Sequence, residues 1–221
     1  MTRFACLVLL ALSACSSLPE IARPRGGTID ATAPPGDWIR YRAVERADFR
    51  RVKAPPVVKQ GPYELGAQTC AYIKTNSDVK IDLLKTVKPN GSEHVEGRLR
   101  NLRFEAWMDR ECSWWNPTND DVPYTLEHEQ IHFAISEIAA RKLNREAAQV
   151  MQELHVTGDT QEEVVAEIQG VVKKLLDDHN EDAIERNEDF DEDTSVGKNP
   201  PRQKEWRETV NRELAELEAW K

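Results

Sequence analysis

The run His128-Glu129-Gln130-Ile131-His132, an H-E-x-x-H inside a long stretch of helical periodicity, constrains this chain more than any other feature. Positions four apart on a helix share one face, so the two imidazoles project together and can hold one metal ion. Glu129 sits one step round, close enough to take a proton from an attacking water but not placed to complete the ligand pair. Two neutral histidine ligands, an open coordination position and a carboxylate base are what a zinc peptidase requires. The chain has only 5 histidines, so finding two of them at this spacing is a specific signal. The competing reading is a surface helix with two incidental histidines.

The helical context is strong. Apolar residues recur at Ile131, Ile135, Ile138, Ala139, Leu143, Ala147, Val150 and Leu154, the spacing of one buried face. His128 and His132 fall on that stripe and are expected to point inward. Pro123 and the preceding Asn119-Asp120-Asp121 supply the start signals, since proline suits a first turn and Asx side chains cap free amides. A buried pair of imidazoles costs free energy unless something satisfies it, and a metal ion would do so.

The N-terminus indicates a compartment. Met1-Thr2-Arg3 carries a charge, and Phe4 to Leu12 is apolar but too short to span a bilayer as a mature helix. It ends in Leu12-Ser13-Ala14-Cys15, which resembles the lipobox of bacterial lipoproteins. The resemblance implies a signal peptide over 1–14, cleavage before Cys15 and acylation of that cysteine, which would tie the protein to the membrane. Ser16 in place of an aspartate implies the outer membrane, with the domain facing the periplasm. A plain secretory or transmembrane segment is the alternative. Residues 15–37 then read as the lipidated cysteine and a flexible tether rich in Pro, Gly, Ala and Thr. Cys6 leaves with the signal and Cys15 takes lipid, so Cys70 and Cys112 remain in an oxidising compartment and are expected to form a disulfide. Such a bridge closes a loop of about 40 residues and stabilises by roughly 3 to 4 kcal/mol on the chain-entropy model. A pair of metal-binding thiols is the alternative.

Residues 38–221 suit one domain. Its first half has strand signals: Thr69 to Thr75 contains Tyr72 and Ile73, and Leu102, Phe104, Ala106 and Met108 alternate with Arg103, Glu105 and Trp107. Pro89-Asn90-Gly91 marks a turn between strand candidates. The second half looks helical. After a break at Gly158-Asp159, Gln161 to about Phe190 carries Val165, Ile168, Val172 and Leu175 on one face. A third helix follows Pro200-Pro201 with Trp206, Val210, Leu214 and Leu217. The expectation is α+β: a small N-terminal β-sheet followed by a helical half carrying the H-E-x-x-H helix. A net charge of −9 and a pI near 5.2 argue against nucleic acid as a partner. The acidic run Asp177 to Asp193 reads as a solvated helix face. A monomer is expected.

With these features placed, the chain resembles a family of bacterial envelope proteins described as predicted secreted zinc-dependent proteases. The likeness spans most of residues 38 to 215. It is carried by Tyr41 to Phe49, by Ser113-Trp114, by Glu127-His128-Glu129-Gln130-Ile131-His132-Phe133, and by Ala139 to Leu143. Phe190-Asp191-Glu192-Asp193-Thr194-Ser195-Val196-Gly197 and Gln203 to Trp206 follow in the family's order. The resemblance implies a zincin-like fold, bound Zn2+ and hydrolysis of a peptide or protein substrate. Two positions depart from the family pattern: Ala134 stands where an aspartate is usual, and Val196 where a histidine is usual.

Geometry suggests a third ligand. If the first two helices form a hairpin turning near Gly158, His132 and His128 face residues near 184 and 188. That brings Glu185, Glu188 and Asp191 within reach, and Asp191 is preferred because it keeps its place in the downstream block. His179 and the neighbouring glutamates remain alternatives. The expected activity is a lipid-anchored periplasmic zinc metallopeptidase with Glu129 as catalytic base and His128, His132 and Asp191 as ligands. The second expectation is a non-catalytic envelope lipoprotein that keeps the metal helix for a structural or binding role.

Overall fold

Alternating apolar and polar residues build the first half of the chain as antiparallel strands. The computed structural model describes residues 37–56, 59–60 and 63–221. The signal peptide, Cys15 and nearly all of the tether expected from the sequence lie outside the described residues. Strand β8 (Phe104–Asp109) is central, with β1 (Trp38–Arg40) on one edge and β5 (Ala71–Thr75) on the other, both antiparallel. Leu102, Phe104, Ala106 and Met108 are buried, as the alternation predicts. Trp107, on the opposite face, is also buried. The Arg40 guanidinium lies 5.0 Å from its ring centroid and covers it.

A second three-stranded sheet flanks the Pro89-Asn90-Gly91 turn. β6 (Lys80–Val87) and β7 (Glu93–Arg100) form a hairpin, and β10 (Val156–Gly158) pairs with the other edge of β7. β10 falls between two long helices, so the order is not strictly strands first and helices second. Two short pairs complete the strands: β2 (Lys59–Gln60) with β3 (Tyr63–Glu64), and β4 (Ala67–Gln68) with β9 (Trp114–Trp115). Cys70 and Cys112 are joined in a disulfide with their Cα atoms 5.8 Å apart, tying the segment before β5 to the loop after β8.

Helix α1 (Val122–Glu153) starts where the capping signals place it: the Asp121 carboxylate accepts the Tyr124 backbone N–H, and Pro123 lies in the first turn. The helix is buried on more than one stripe. Phe133, Ala140 and Leu143 join the sheet-side core with Phe104 and Met108, while Ile131, Ile135 and Ile138 join a second core with Phe190, Val210 and Leu214. Some of the polar groups buried along α1 are paired. Gln130 Oε1 accepts the Val44 backbone N–H at 2.7 Å, and Arg141 Nε donates to Glu137 at 2.7 Å.

Helix α2 (Gln161–Thr194) begins with a capping box in which Thr160 and Glu163 satisfy each other's backbone amides. Its deepest residues near the start are Val164 and Ile168; Val165, expected on the buried face, is only half-buried. The acidic run is largely a solvated face, where Asp177 and Asp178 pair one turn back with Lys173 and Lys174. Helix α3 (Pro200–Glu216), capped by Asn199, presents Val210 and Leu214 to the second core. The architecture is α+β. No helix among the described residues is long and apolar enough to cross a membrane.

Candidate metal centre

His128 and His132 project from one face of α1 toward the C-terminal part of α2, as their spacing requires. The hairpin brings them to Asp191, although its register differs by three residues from the simple mirror estimate. His132 meets Asn187 and His128 meets Asp191, in place of residues near 184 and 188. Glu185 and Glu188 are exposed and do not join the site. His179 lies elsewhere, with its Nε2 3.1 Å from Glu146 Oε1. Among the described residues, His128, His132 and Asp191 form the one group of three or more such side chains arranged to hold a metal ion.

The distances suit that role. His128 Nε2 lies 3.2 Å from His132 Nε2 and 3.1 Å from Asp191 Oδ1, and His132 Nε2 lies 3.2 Å from the same oxygen. Tetrahedral zinc with bonds of about 2.0 to 2.1 Å has ligand–ligand edges of about 3.3 to 3.4 Å. The observed triangle is within a few tenths of an ångström of one face of that tetrahedron.

The other nitrogen of each ring fixes its tautomer. His128 Nδ1 lies 3.2 Å from Gln203 Oε1, and Gln203 Nε2 donates to the Tyr124 carbonyl at 3.2 Å. His132 Nδ1 lies 2.7 Å from Asn187 Oδ1, and Asn187 Nδ2 donates to the Ala183 carbonyl at 2.7 Å. Because each amide nitrogen is committed to a backbone carbonyl, each amide oxygen must accept from Nδ1–H. Both Nε2 lone pairs then face one another and a carboxylate oxygen. Such an arrangement needs a cation at its centre, either a metal or a proton. Phe190 packs the rings in place, stacked on His128 at 4.5 Å and edge-on to His132 at 4.9 Å.

Electrostatics point the same way. Burial pushes the His132 imidazole toward its neutral form, but the hydrogen bond to Asp191 and the charges of Asp191 and Glu129 outweigh this and raise its pKa to about 9. Burial also acts to raise Asp191, yet its bonds to the two histidines hold it well below the usual carboxylate range. Glu129 is 2% exposed, and its Oε2 is buried without a hydrogen-bond partner. It lines the same cleft of about 560 Å³ as His128, His132 and Asp191. Part of the cleft lining is the turn between α2 and α3, containing Val196 and Gly197. A Cβ on Gly197 would sit 3.3 Å from His128 Nδ1.

The structure brings together both histidines, Glu129 and Asp191, as expected from the sequence, and adds Asn187 and Gln203, which the sequence reading missed. The position of Gln203 at the start of a downstream block was the only signal for it, and Asn187 had none. Of the two departures from the family pattern, Ala134 is fully buried in the second core, whereas Val196 lines the cleft. No family model matches the chain, and neither a curated protein nor a solved structure matches it, so the functional reading rests on the geometry of this site.

Proposed function

We propose that this chain is a zinc-dependent peptidase of the bacterial envelope, zincin-like in arrangement and anchored at the outer membrane through Cys15. The observation that carries the reading is the triangle of His128, His132 and Asp191 opening onto a cleft that also holds an unpartnered buried carboxylate, Glu129. A purely structural zinc site is closed by four protein ligands, whereas a hydrolytic one keeps a position open. When bound, zinc would acidify a water molecule to a pKa of about 7 and polarise a carbonyl group. His128 and His132 would hold the ion through Nε2, each oriented by its amide partner. Asp191 supplies the negative ligand. Glu129 accepts the proton of the attacking water and delivers it to the leaving amine.

A non-catalytic envelope lipoprotein is the second reading, favoured by Val196, which places an inert side chain in the cleft wall. One set of variants separates the two. Zinc measured by elemental analysis on the purified soluble domain should be about one per chain. It should be lost in His128→Ala, His132→Ala and Asp191→Ala. Glu129→Gln should retain zinc and lose hydrolysis of a peptide library by on the order of 10² to 10⁴. Full zinc in the histidine variants would remove the site. Zinc-loaded wild type that cleaves nothing would leave the binding reading.

A further inference from the structure

The turn joining α2 to α3 is unusual in its backbone. Ser195, Val196 and Gly197 have φ of 50°, 54° and 71°, three left-handed residues in succession. A β-branched side chain in this region is strained, and such strain persists where the surroundings over-determine it. Here the turn is pinned at both ends. Val196 N–H donates to the Asp191 carbonyl at 2.8 Å, and Lys198 N–H donates to the Thr194 carbonyl at 2.8 Å. The result is that Gly197 lies beside the His128 ring, close enough that an added Cβ would sit 3.3 Å from Nδ1, and Lys198 follows it in the cleft lining.

Lys198 is the only lysine or arginine lining the cleft among the described residues. Its backbone is fixed, but its side chain is exposed and its ammonium has no partner among the described residues. Consecutive Cα atoms are about 3.8 Å apart and a lysine stem reaches about 6 Å, so the ammonium stays within roughly 10 Å of the Gly197 Cα, which lies beside the His128 ring. An extended peptide advances about 3.3 Å per residue, which makes that reach two to three residues of substrate. The charge balance of the wall also matters. Two ligand-side carboxylates, Asp191 and Glu129, offset a divalent ion, which leaves Asp121 and Lys198 as the remaining charges of opposite sign.

Resting on the peptidase reading, we propose that Lys198 is a specificity-determining residue that receives a carboxylate of the substrate two or three residues from the scissile bond. That carboxylate can be an acidic side chain or the free C-terminus of a short peptide, and the two are chemically alike at the ammonium. An exposed ammonium in a cleft should contribute about three- to tenfold in affinity.

The test uses zinc-loaded Glu129→Gln protein, which should bind peptides without turning them over, and measures affinity by fluorescence anisotropy. The four labelled probes are a neutral C-terminally amidated peptide, the same peptide with one glutamate, the same peptide with a free C-terminus, and the same peptide with one lysine. Tighter binding of the glutamate or free-carboxylate probe, abolished or reversed by an added Lys198→Glu and restored by Lys198→Arg, is the expected result. Which carboxylate probe responds identifies the source. Equal preference with and without Lys198→Glu, or no binding of any probe, would overturn the proposal. Turnover by protein with Glu129 intact separates the two readings. Hydrolysis whose preference ignores Lys198 defeats this proposal alone. A Lys198-dependent binding preference without any hydrolysis defeats the peptidase reading and leaves the carboxylate site standing.

Discussion

On the proposed reading, a proton and a metal ion compete for the same three atoms. With no metal bound, His132 holds its proton up to a pH of about 9, because Asp191 is within 3.2 Å of its Nε2. Its ordinary value is near 6.5. The pKa is raised by folding, so this group's contribution to the stability of the metal-free protein is complete below pH 6.5 and is lost as pH rises through about 9. Asp191 has the opposite sign: its contribution is present above the usual carboxylate range and disappears only in stronger acid. Zinc must expel the His132 proton to bind. Its apparent affinity should therefore rise by about tenfold per pH unit between pH 6.5 and 9. Competition with a chelator of known pH dependence would measure this, and a flat profile would show that no proton occupies the site. The two imidazoles and Glu129 were legible in the sequence because a four-residue spacing on a helix is a local rule. Asn187 and Gln203 were not, because they act through hydrogen bonds across 55 and 75 residues of chain that no local pattern encodes.

At the scale of elements, the close contact of α2 with the β6–β7–β10 sheet depends on one missing side chain. A Cβ at Gly97 in β7 would lie 2.4 Å from Val164 Cγ1 and 2.8 Å from Ile168 Cδ1. Both neighbours are fully buried and have little room to give. Gly97→Ala should destabilise the protein by about 1 to 3 kcal/mol through overpacking. Chemical denaturation would read that loss, and zinc content should stay at the wild-type level, since Gly97 does not line the metal cleft. The same contact explains why this sheet was harder to anticipate than β8. In β7, Val95, Gly97 and Leu99 face inward, and a glycine in the middle position weakens the apolar alternation on which strand recognition depends. β6 puts Lys80 and Asp82 on its outward face and Lys85 in line with Ile81 and Leu83, which interrupts the apolar alternation, so only the turn between the two strands stood out.

Across the whole molecule, two fasteners act on different parts. The Cys70–Cys112 disulfide closes a loop of 42 residues in the sheet half, while the His128–His132–Asp191 triangle joins α1 to α2, with α3 held through Gln203. Replacing both cysteines with serine should cost roughly 3 to 4 kcal/mol. Zinc content should be unchanged in that variant, because the bridge shares no residue with the site. Thermal melts with and without a chelator would show whether the two losses add, as they should for sites with no shared partners. The α+β class and the starts of all three helices followed from periodicity, caps and prolines, whereas α1 ends at Glu153, before the unforeseen β10, and α2 runs past Phe190 to Thr194. The existence of two cores did not follow, since a single apolar stripe cannot announce that α1 is enclosed from two sides.

Trp206 packs edge-on against Phe190 with ring centroids 5.4 Å apart, and Phe190 in turn is stacked on His128. The chain therefore carries a fluorophore one aromatic ring away from the ion-binding atoms. A coloured divalent ion such as cobalt or copper, seated between the imidazoles, would drain the excited state of that indole by energy transfer. Filling of the centre would register as dimming of the protein's own emission. Of the 6 tryptophans in the sequence, Trp206 is the one in direct ring contact with Phe190, so its replacement by phenylalanine identifies how much of the signal it supplies.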